Sequence, residues 1–288
     1  MATSFKQIEQ NLKNEARALL ESGRVALVLA YTRGYDDRHP LPYTAKCAAD
    51  ADNIIFNEYC NANLARYLVR HPRGTKIAIA AKPADSRAVV VLIQEEKVHR
   101  DDLIILGIPV RGMKNHKTDE IIDSRTTGGL YNPVLCDIML GEEITGEPIM
   151  SPYDVLAPYE AMDKEERWAF WKKELERCIR CYACRKACPM CYCDPCFIDL
   201  DKPRWGEKAP GSGGNLMYHL TRFHHWAGRC IDCGECYRAC PVDIPLHLFH
   251  KKVAKECEEM FGLAAGMSID EKPALVDFRM DDSDAILE

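Results

Sequence analysis

The chain has 288 residues, 47% of them hydrophobic and 28% charged, a composition typical of a globular protein with one or two domains. Its formal net charge of −6 gives no electrostatic support for binding to nucleic acid. No apolar run approaches the ~18 residues of a membrane span, and the polar N-terminal segment resembles neither a secretory signal nor a transit peptide. Fifteen cysteines without such a signal predict a reducing, cytoplasmic environment.

The first half of the chain predicts alternating helices and strands. After an opening helix, residues 25–31 predict a buried strand and residues 61–71 a helix. Residues 76–81, 85–96 and 103–108 then predict strand, helix and strand, the pattern of a right-handed parallel βαβ crossover. The apolar runs are continuous rather than alternating, as in a sheet that is covered on both faces.

The second half shows almost no strand signal. Residues 164–177 predict an amphipathic helix and residues 244–261 another, and glycine, proline and turn formers between 141 and 158 predict a boundary before them. The fold class is therefore an α/β domain with a parallel βαβ unit followed by a mostly α-helical domain. The predicted units are an α/β scaffold over 1–150, a helical domain over 151–265 and an acidic tail over 266–288.

Two cysteine runs in the second half share the spacing C-x-x-C-x-x-C-x-x-x-C-P. This spacing holds thiolates around a 4Fe–4S cube, so the sequence predicts two such clusters. Structural zinc would use two separated pairs of Cys or His, and a disulfide framework would require a secreted chain. The cysteines of the two runs are Cys178, Cys181, Cys184 and Cys188, then Cys230, Cys233, Cys236 and Cys240.

The fourth cysteine of each run usually binds the cluster of the other run. Pro189 and Pro241 prevent each fourth cysteine from continuing a helix. Four nearby arginines are candidates to offset the negative charge of the clusters, or else form a solvated helix face: Arg180, Arg185, Arg229 and Arg238. The predicted ligands are Cys178, Cys181, Cys184 and Cys240 for cluster 1, and Cys230, Cys233, Cys236 and Cys188 for cluster 2.

Three more cysteines, Cys191, Cys193 and Cys196, follow the first run directly. They could hold a third cluster or a zinc ion, or they could be packing residues, because a free cysteine behaves as a small apolar group. A third cube would need a further ligand from the remaining cysteines, which are Cys47, Cys60, Cys136 and Cys257. The sequence leaves this extra site open.

The linker between the two runs, about 40 residues, is longer than in small β-type dicluster ferredoxins. The segment CIDCGECYRACPVDIPLHLF resembles the cluster segments of heterodisulfide reductase small subunits and of electron-transport complex iron–sulfur subunits. This resemblance covers roughly residues 178–262. It implies a helical dicluster ferredoxin module.

Residues 76–113 resemble the beta-subunit family of deazaflavin-dependent hydrogenases and formate dehydrogenases, and the likeness extends over about 55–145. Ala84 and Val110 stand where that family has cysteines, and residues 125–129 replace its Cys-x-x-Cys pair. The resemblance therefore implies that an ancestral cluster site has become a plain scaffold. The family residues that the chain keeps are Lys82, Asp85, Arg87, Gly107, Ile108, Pro109 and Gly112.

Two of these kept residues also have ordinary structural interpretations. Asp85 follows a strand and would cap the next helix, while Arg87 would pair with Asp101 or Asp102. An anion-binding or cofactor-binding role for them is the alternative.

Together these resemblances imply an electron-transfer subunit of an anaerobic oxidoreductase complex. The predicted partners are protein subunits, namely a flavoprotein or a catalytic metalloenzyme such as a hydrogenase, a formate dehydrogenase, a tungsten or molybdenum oxidoreductase or a heterodisulfide-reductase-like protein. The alternative is a flavin-containing beta subunit that itself reduces a deazaflavin or NAD. FAD is not favoured, because the chain has no Gly-x-Gly-x-x-Gly or P-loop and its glycines at 128–129 and 211–214 predict ordinary loops.

Overall fold

The computed structural model describes residues 3–122, 130–146 and 151–273. The predictions for residues 125–129, for the acidic tail beyond residue 273 and for the boundary at 147–150 lie outside the described residues. The helices are α1 Phe5–Glu21, α2 Ala65–Leu68, α3 Pro83–Gln94, α4 Ala157–Glu160, α5 Lys164–Glu176, α6 Ala183–Ala187, α7 Ser212–His225, α8 Glu235–Arg238 and α9 Leu246–Phe261. The strands are β1 Leu27–Thr32, β2 Leu41–Ala45, β3 Ile77–Ala81, β4 Leu103–Gly107, β5 Met113–Lys114, β6 Ile121–Ile122 and β7 Ile138–Met139.

Five strands form one sheet in the order β2-β1-β3-β4-β7. β1, β3, β4 and β7 run parallel to one another, whereas β2 lies antiparallel to β1 at the edge. Because α3 connects the parallel strands β3 and β4, the predicted parallel βαβ unit is confirmed. The sequence does not predict β2 or β7, since β2 is mostly half-exposed and includes Pro42 and β7 has only two residues.

The start of α3 contains a buried ion pair. Lys82 is the N-cap and Asp85 the third helical residue, so the prediction that Asp85 caps the helix is right in effect but wrong in position. The Asp85 carboxylate accepts hydrogen bonds from the backbone amides of Lys82 (3.1 Å) and Leu64 (2.6 Å), and the Lys82 ammonium lies 2.7 Å from it. These contacts fix the loop after β3 from both sides.

Arg87 does not pair with Asp101 or Asp102, and that prediction is wrong. Its guanidinium is buried and donates two hydrogen bonds to the carbonyl of Ala265, at 3.0 and 2.7 Å. Asp102 lies just before β4, at the amino ends of the strands, where it pairs with Lys76. Arg87 therefore ties the α/β half to the segment that follows α9.

The second half is helical, as predicted, although two details differ. Of the residues in α5, only Leu175 is buried, so this helix does not bury an apolar stripe. The glycines at 211–214 begin the 14-residue helix α7 instead of forming a loop. In the first half, the helix predicted over 61–71 is too long, because only the residues of α2, Ala65–Leu68, form an α-helix.

One continuous hydrophobic core runs through both halves. Polar contacts cross the same junction: the Lys117 ammonium donates to the carbonyl of Cys240 (2.6 Å), and Glu95 accepts from Tyr192 (2.6 Å) and pairs with Arg229 (2.8 Å). The cysteine runs consequently lie against the sheet domain. No helix within the described residues is both long and apolar enough to cross a membrane.

Candidate metal centre

The two cysteine runs adopt the same backbone conformation. Positions two and four after the first cysteine are left-handed in both runs, with φ of 59° and 60° at Arg180 and Tyr182 and of 56° and 73° at Asp232 and Gly234. Three of these four are not glycine, so the conformation is costly and is imposed by its surroundings. Left-handed residues between turns direct successive amides into one concavity, a geometry common at iron–sulfur sites.

The third and fourth cysteines are placed in equivalent ways. Cys184 lies in the short helix α6 and Cys236 in the short helix α8, with Cys188 and Cys240 just beyond the two helices. Backbone amides face the sulfurs: the amide of Arg180 donates to Cys178 Sγ at 3.4 Å. The amide of Ile244 donates to Cys240 Sγ at the same distance, 3.4 Å. Such donors stabilise negative charge on sulfur.

α6 packs against α8, and this contact brings the fourth cysteine of the second run to the first run. Burial raises the pKa of the Cys178 thiol, and the thiolates of Cys184 and Cys240 raise it further. Burial likewise raises the pKa of Cys184, with Cys240 again among the neighbours that contribute. Cys178, Cys184 and Cys240 therefore lie close enough for their charges to interact, and Cys181, from the same run, is exposed.

Conversely, Cys188, the fourth cysteine of the first run, lies beside the cysteines of the second run. A single cavity, partly open to solvent, is lined by Cys188, Cys230, Cys233 and Cys236. A hydrogen bond with Cys191 raises the pKa of the Cys188 thiol well above its ordinary value, and burial and the thiolates of Cys191 and Cys233 add to the shift. All four predicted ligands of cluster 2 thus face one space.

Buried thiols keep their protons until a metal displaces them. Burial raises the pKa of Cys230 to about 11 and that of Cys233 to about 12. Positive charges are buried beside this loop: Arg238 pairs with Glu235 and donates to the carbonyl of Cys233 at 2.7 Å, and Lys251 pairs with Asp232. The donor set suits an iron–sulfur cube, which needs four thiolates and a compensating environment.

The remaining predicted residues lie around these two groups. Cys191 lies beside Cys188, and the hydrogen bond between them lowers the pKa of Cys191 to about 6, with help from Arg222. Cys193 is exposed and Cys196 half-buried. Over the three described stretches, no group of three or more His, Cys, Asp or Glu side chains is arranged to hold a single metal ion. That criterion does not address a cube, in which each cysteine binds a different iron.

The four arginines named from the sequence bind other partners. Arg180 donates to the carbonyl of Gly214 (2.9 Å), and Arg185 pairs with Asp199 (2.8 Å). Arg229 and Arg238 pair with Glu95 and Glu235, as described above. None of these side chains has a hydrogen bond to the sulfur of a run cysteine among the described contacts, although Arg238 donates to the Cys233 carbonyl. Burial raises the pKa of Cys178 and of Cys233, whereas the positive charge of Arg180 lowers the pKa of Cys178 and that of Arg238 lowers the pKa of Cys233, so a role of these two arginines in offsetting cluster charge stays a prediction.

Sequence reasoning missed two polar residues that do contact the sulfurs. His250 Nδ1 lies 3.4 Å from Cys236 Sγ, and Arg222 Nη1 lies 2.9 Å from Cys184 Sγ. Arg222 is on α7, which the sequence did not predict, and it stands one turn from aromatic residues at 218 and 226. That spacing of Tyr, Arg and Trp is the signal that could have identified it.

Ala84 and Val110, which replace the family's cysteines, line a cavity between the two halves that is partly open to solvent. Lys82, Asp85 and Cys233 line the same cavity. With no thiol at positions 84 and 110, these residues offer iron no ligand. Residues 125–129, which replace the family's Cys-x-x-Cys pair, lie outside the described part of the chain. That they leave this half without a metal site therefore stays a prediction.

Comparison with known proteins identifies both cysteine runs as iron–sulfur segments. Models of a 4Fe–4S binding domain match residues 175–191 and residues 224–245, and each match contains one complete cysteine run. The chain is thus an iron–sulfur protein with two ferredoxin-type segments. A shorter match, to lactate utilization protein B of Bacillus cytotoxicus, is 32% identical over 122 residues, or 40% of this chain and 23% of that protein.

Two relatives are both named as F420-dependent formate dehydrogenase beta subunits. The F420-dependent formate dehydrogenase subunit beta of Methanocaldococcus jannaschii is 43% identical over 86 residues, which span 30% of this chain but only 22% of that relative. The F420-dependent formate dehydrogenase 1 subunit beta of Methanococcus maripaludis is 31% identical over an alignment of 352 positions that covers 89% of this chain and 90% of the relative. The predicted resemblance is confirmed, and these findings support an electron-transfer subunit of an oxidoreductase. The chain belongs to the family of F420-dependent formate dehydrogenase beta subunits.

Proposed function

We propose that this chain carries electrons through two 4Fe–4S clusters within a larger oxidoreductase complex. The observation that supports this most is the cavity in which Cys188 of the first run joins Cys230, Cys233 and Cys236 of the second. Cluster 2 would be held by these four thiolates. Cluster 1 would be held by Cys178, Cys181, Cys184 and Cys240, a set supported by the mutual influence of Cys178, Cys184 and Cys240.

Each cluster, when bound, supplies one-electron chemistry, and the protein decides its environment. The second loop keeps water away, since Cys236 is buried and Cys230 and Cys233 are at most half-exposed. The first loop leaves Cys181 exposed. Electrons would therefore exchange with a partner at the edge of cluster 1 and pass to or from cluster 2 behind it.

The α/β half, over 1–150, would serve as the scaffold that supports this module over 151–265. Three contacts described above join them: Lys117 to the Cys240 carbonyl, Arg87 to the Ala265 carbonyl, and Glu95 to Arg229. The described start of the predicted tail also packs on the scaffold, since Gln94 donates to carbonyls at 268 and 271. The module would thus be held at a fixed position relative to the sheet.

The names of the relatives favour a formate dehydrogenase as the catalytic partner, ahead of a hydrogenase, a tungsten or molybdenum oxidoreductase or a heterodisulfide-reductase-like flavoprotein. The alternative, a beta subunit that itself reduces a deazaflavin or NAD, would require a bound flavin. Acid release of a flavin from protein purified without oxygen would favour that alternative. Purification of the native complex would identify the partner.

Iron and sulfide content tests the proposal directly. Protein purified or reconstituted without oxygen should contain about eight iron and eight acid-labile sulfide atoms per chain. About four of each would leave one run empty and contradict the two-cluster proposal. About twelve would assign Cys191, Cys193 and Cys196 to a third cluster.

A further inference from the structure

Arg222 is a buried cation whose contacts are sulfur atoms and aromatic rings. Only 2% of the side chain is exposed. Nη1 lies 2.9 Å from Cys184 Sγ and Nη2 lies 3.8 Å from Cys191 Sγ. The guanidinium is 4.1 Å from the ring centre of Trp226 and 5.3 Å from that of Tyr218, so one aromatic residue on each neighbouring turn of α7 holds it in place.

Arg222 differs from every other arginine near the runs in lacking a carboxylate or carbonyl partner within the described contacts. Its Nε also has no hydrogen-bond partner there. A guanidinium that is buried away from water is retained only where negative charge compensates it. The groups that can provide this charge are the sulfur ligands of the site, because the flanking rings are neutral.

Of the two contacted sulfurs, that of Cys184 belongs to a predicted ligand set, and that of Cys191 lies beside Cys188 of the other set. Cys184 is a cluster 1 ligand, and Cys188, which belongs to the cluster 2 set, is among the groups that act on the charge of Arg222. Arg222 therefore lies between the two sites, with direct contact only to the first. Reduction of a cube adds one negative charge, and a nearby fixed cation favours that state.

We propose that Arg222 is the fixed positive charge that sets the reduction potentials of the two clusters, raising that of cluster 1 more than that of cluster 2. This inference rests on the proposed function, since it requires both clusters. It makes Arg222 a residue that tunes the electron path through its charge, without itself binding iron. The step it assists is the gain of one electron by cluster 1, with the electron supplied by the partner at the exposed edge.

The test compares the full-length wild-type chain with Arg222→Gln, Arg222→Lys and the control Arg185→Gln. Arg185 is adjacent to Cys184 in sequence but pairs with Asp199, so its removal should leave the potentials close to those of the wild type. Each protein is reconstituted without oxygen, its iron is counted, and its clusters are titrated by EPR at fixed potentials.

In Arg222→Gln, at the wild-type midpoint of cluster 1, the ratio of reduced to oxidised cluster should fall by at least about tenfold. Cluster 2 should change in the same direction but less, and Arg222→Lys should recover part of the loss. Full iron content with unchanged potentials in Arg222→Gln would overturn the inference and leave the proposed function intact. Wild-type protein that binds no iron would instead overturn the proposed function.

Cluster assembly provides a second result. Loss of iron in Arg222→Gln together with full iron in Arg222→Lys would show that a positive charge here compensates the sulfur ligands, which supports the premise of the inference. Loss of iron in both variants would assign Arg222 a packing role between Trp226 and Tyr218, and would overturn the inference.

Discussion

The two cysteine loops share one backbone but lie in different surroundings. In the first, the left-handed positions hold Arg180 and Tyr182, and the cysteine between them is exposed. In the second, they hold Asp232 and Gly234, and Asp232 is buried in an ion pair with Lys251. The equal spacing of the cysteines therefore gives both loops the same backbone geometry. The residues between the cysteines determine how exposed each site is to water and which charges surround it.

The short helices after the loops extend this difference. α8 contains the buried pair Glu235–Arg238, whereas the equivalent positions in α6 hold Ala183 and Lys186. The second site thus carries its own buried charges of both signs, and the first depends on Arg222 from a separate helix. At the first site, the ligands and the buried positive charge are therefore encoded in different parts of the chain.

The largest effect should follow from removing one fourth cysteine at a time. Because the fourth ligands are exchanged between the runs, Cys188→Ala should damage cluster 2 and Cys240→Ala should damage cluster 1. Each variant should lose up to about four iron atoms and one of the two reduced EPR signals. EPR of the two variants, with iron counts, measures this.

Cys257→Ala is the matched control, because this buried cysteine lies on α9 outside both predicted ligand sets. It should keep both signals. The opposite result would contradict the exchanged assignment. In that case Cys188→Ala would remove the signal of the cluster bound by Cys178, and Cys240→Ala the signal of the cluster bound by Cys230. Each run would then bind its own cluster.

Much of the scaffold could be predicted from the sequence, because β3 and β4 are short continuous apolar runs on either side of a helix. The strands β2 and β7 could not, since a half-exposed edge strand and a two-residue strand carry little periodic signal. α7 was missed because its first turn contains three residues, Ser212 to Gly214, that usually indicate loops. Tertiary packing, here against α5 and α9, overrides that local preference.

A smaller effect should follow from neutralising one partner of the buried pair in the second loop. Glu235→Gln keeps the shape of the side chain but leaves the Arg238 guanidinium without its carboxylate. The free energy of unfolding should fall by about 3 kcal/mol. The thermal midpoint should then fall by roughly 6–12 °C, measured by calorimetry on cluster-loaded protein without oxygen.

The control for this change is Asp201→Asn, which removes an exposed partner of Lys208. Exposed pairs contribute little to stability, so its thermal midpoint should stay at the wild-type value. Equal midpoints for Glu235→Gln and the wild type would mean that the cysteine loop, not the ion pair, compensates Arg238.

The candidate site divides in the same way between predictable and unpredictable parts. Spacing alone identified the eight run cysteines, because a cube imposes a fixed local pattern. It could not identify Arg222 or His250, which reach the sulfurs from α7 and α9. Residues that approach a site from distant elements leave no local spacing, so only the folded structure brings them together.

The smallest effect concerns Gly234, the one glycine among the four left-handed positions of the two cysteine loops. Gly234 has φ of 73°, where an added Cβ is strained, so Gly234→Ala should lower the free energy of unfolding by about 1 kcal/mol. Gly213→Ala is the control: this glycine lies in the first turn of α7 with no atom within 4 Å of an added Cβ, and alanine there should stabilise the protein slightly. Thermal midpoints therefore should move in opposite directions in the two variants. A midpoint for Gly234→Ala at or above that of Gly213→Ala would show that the second loop relaxes to accept a side chain, as the first loop does at Tyr182.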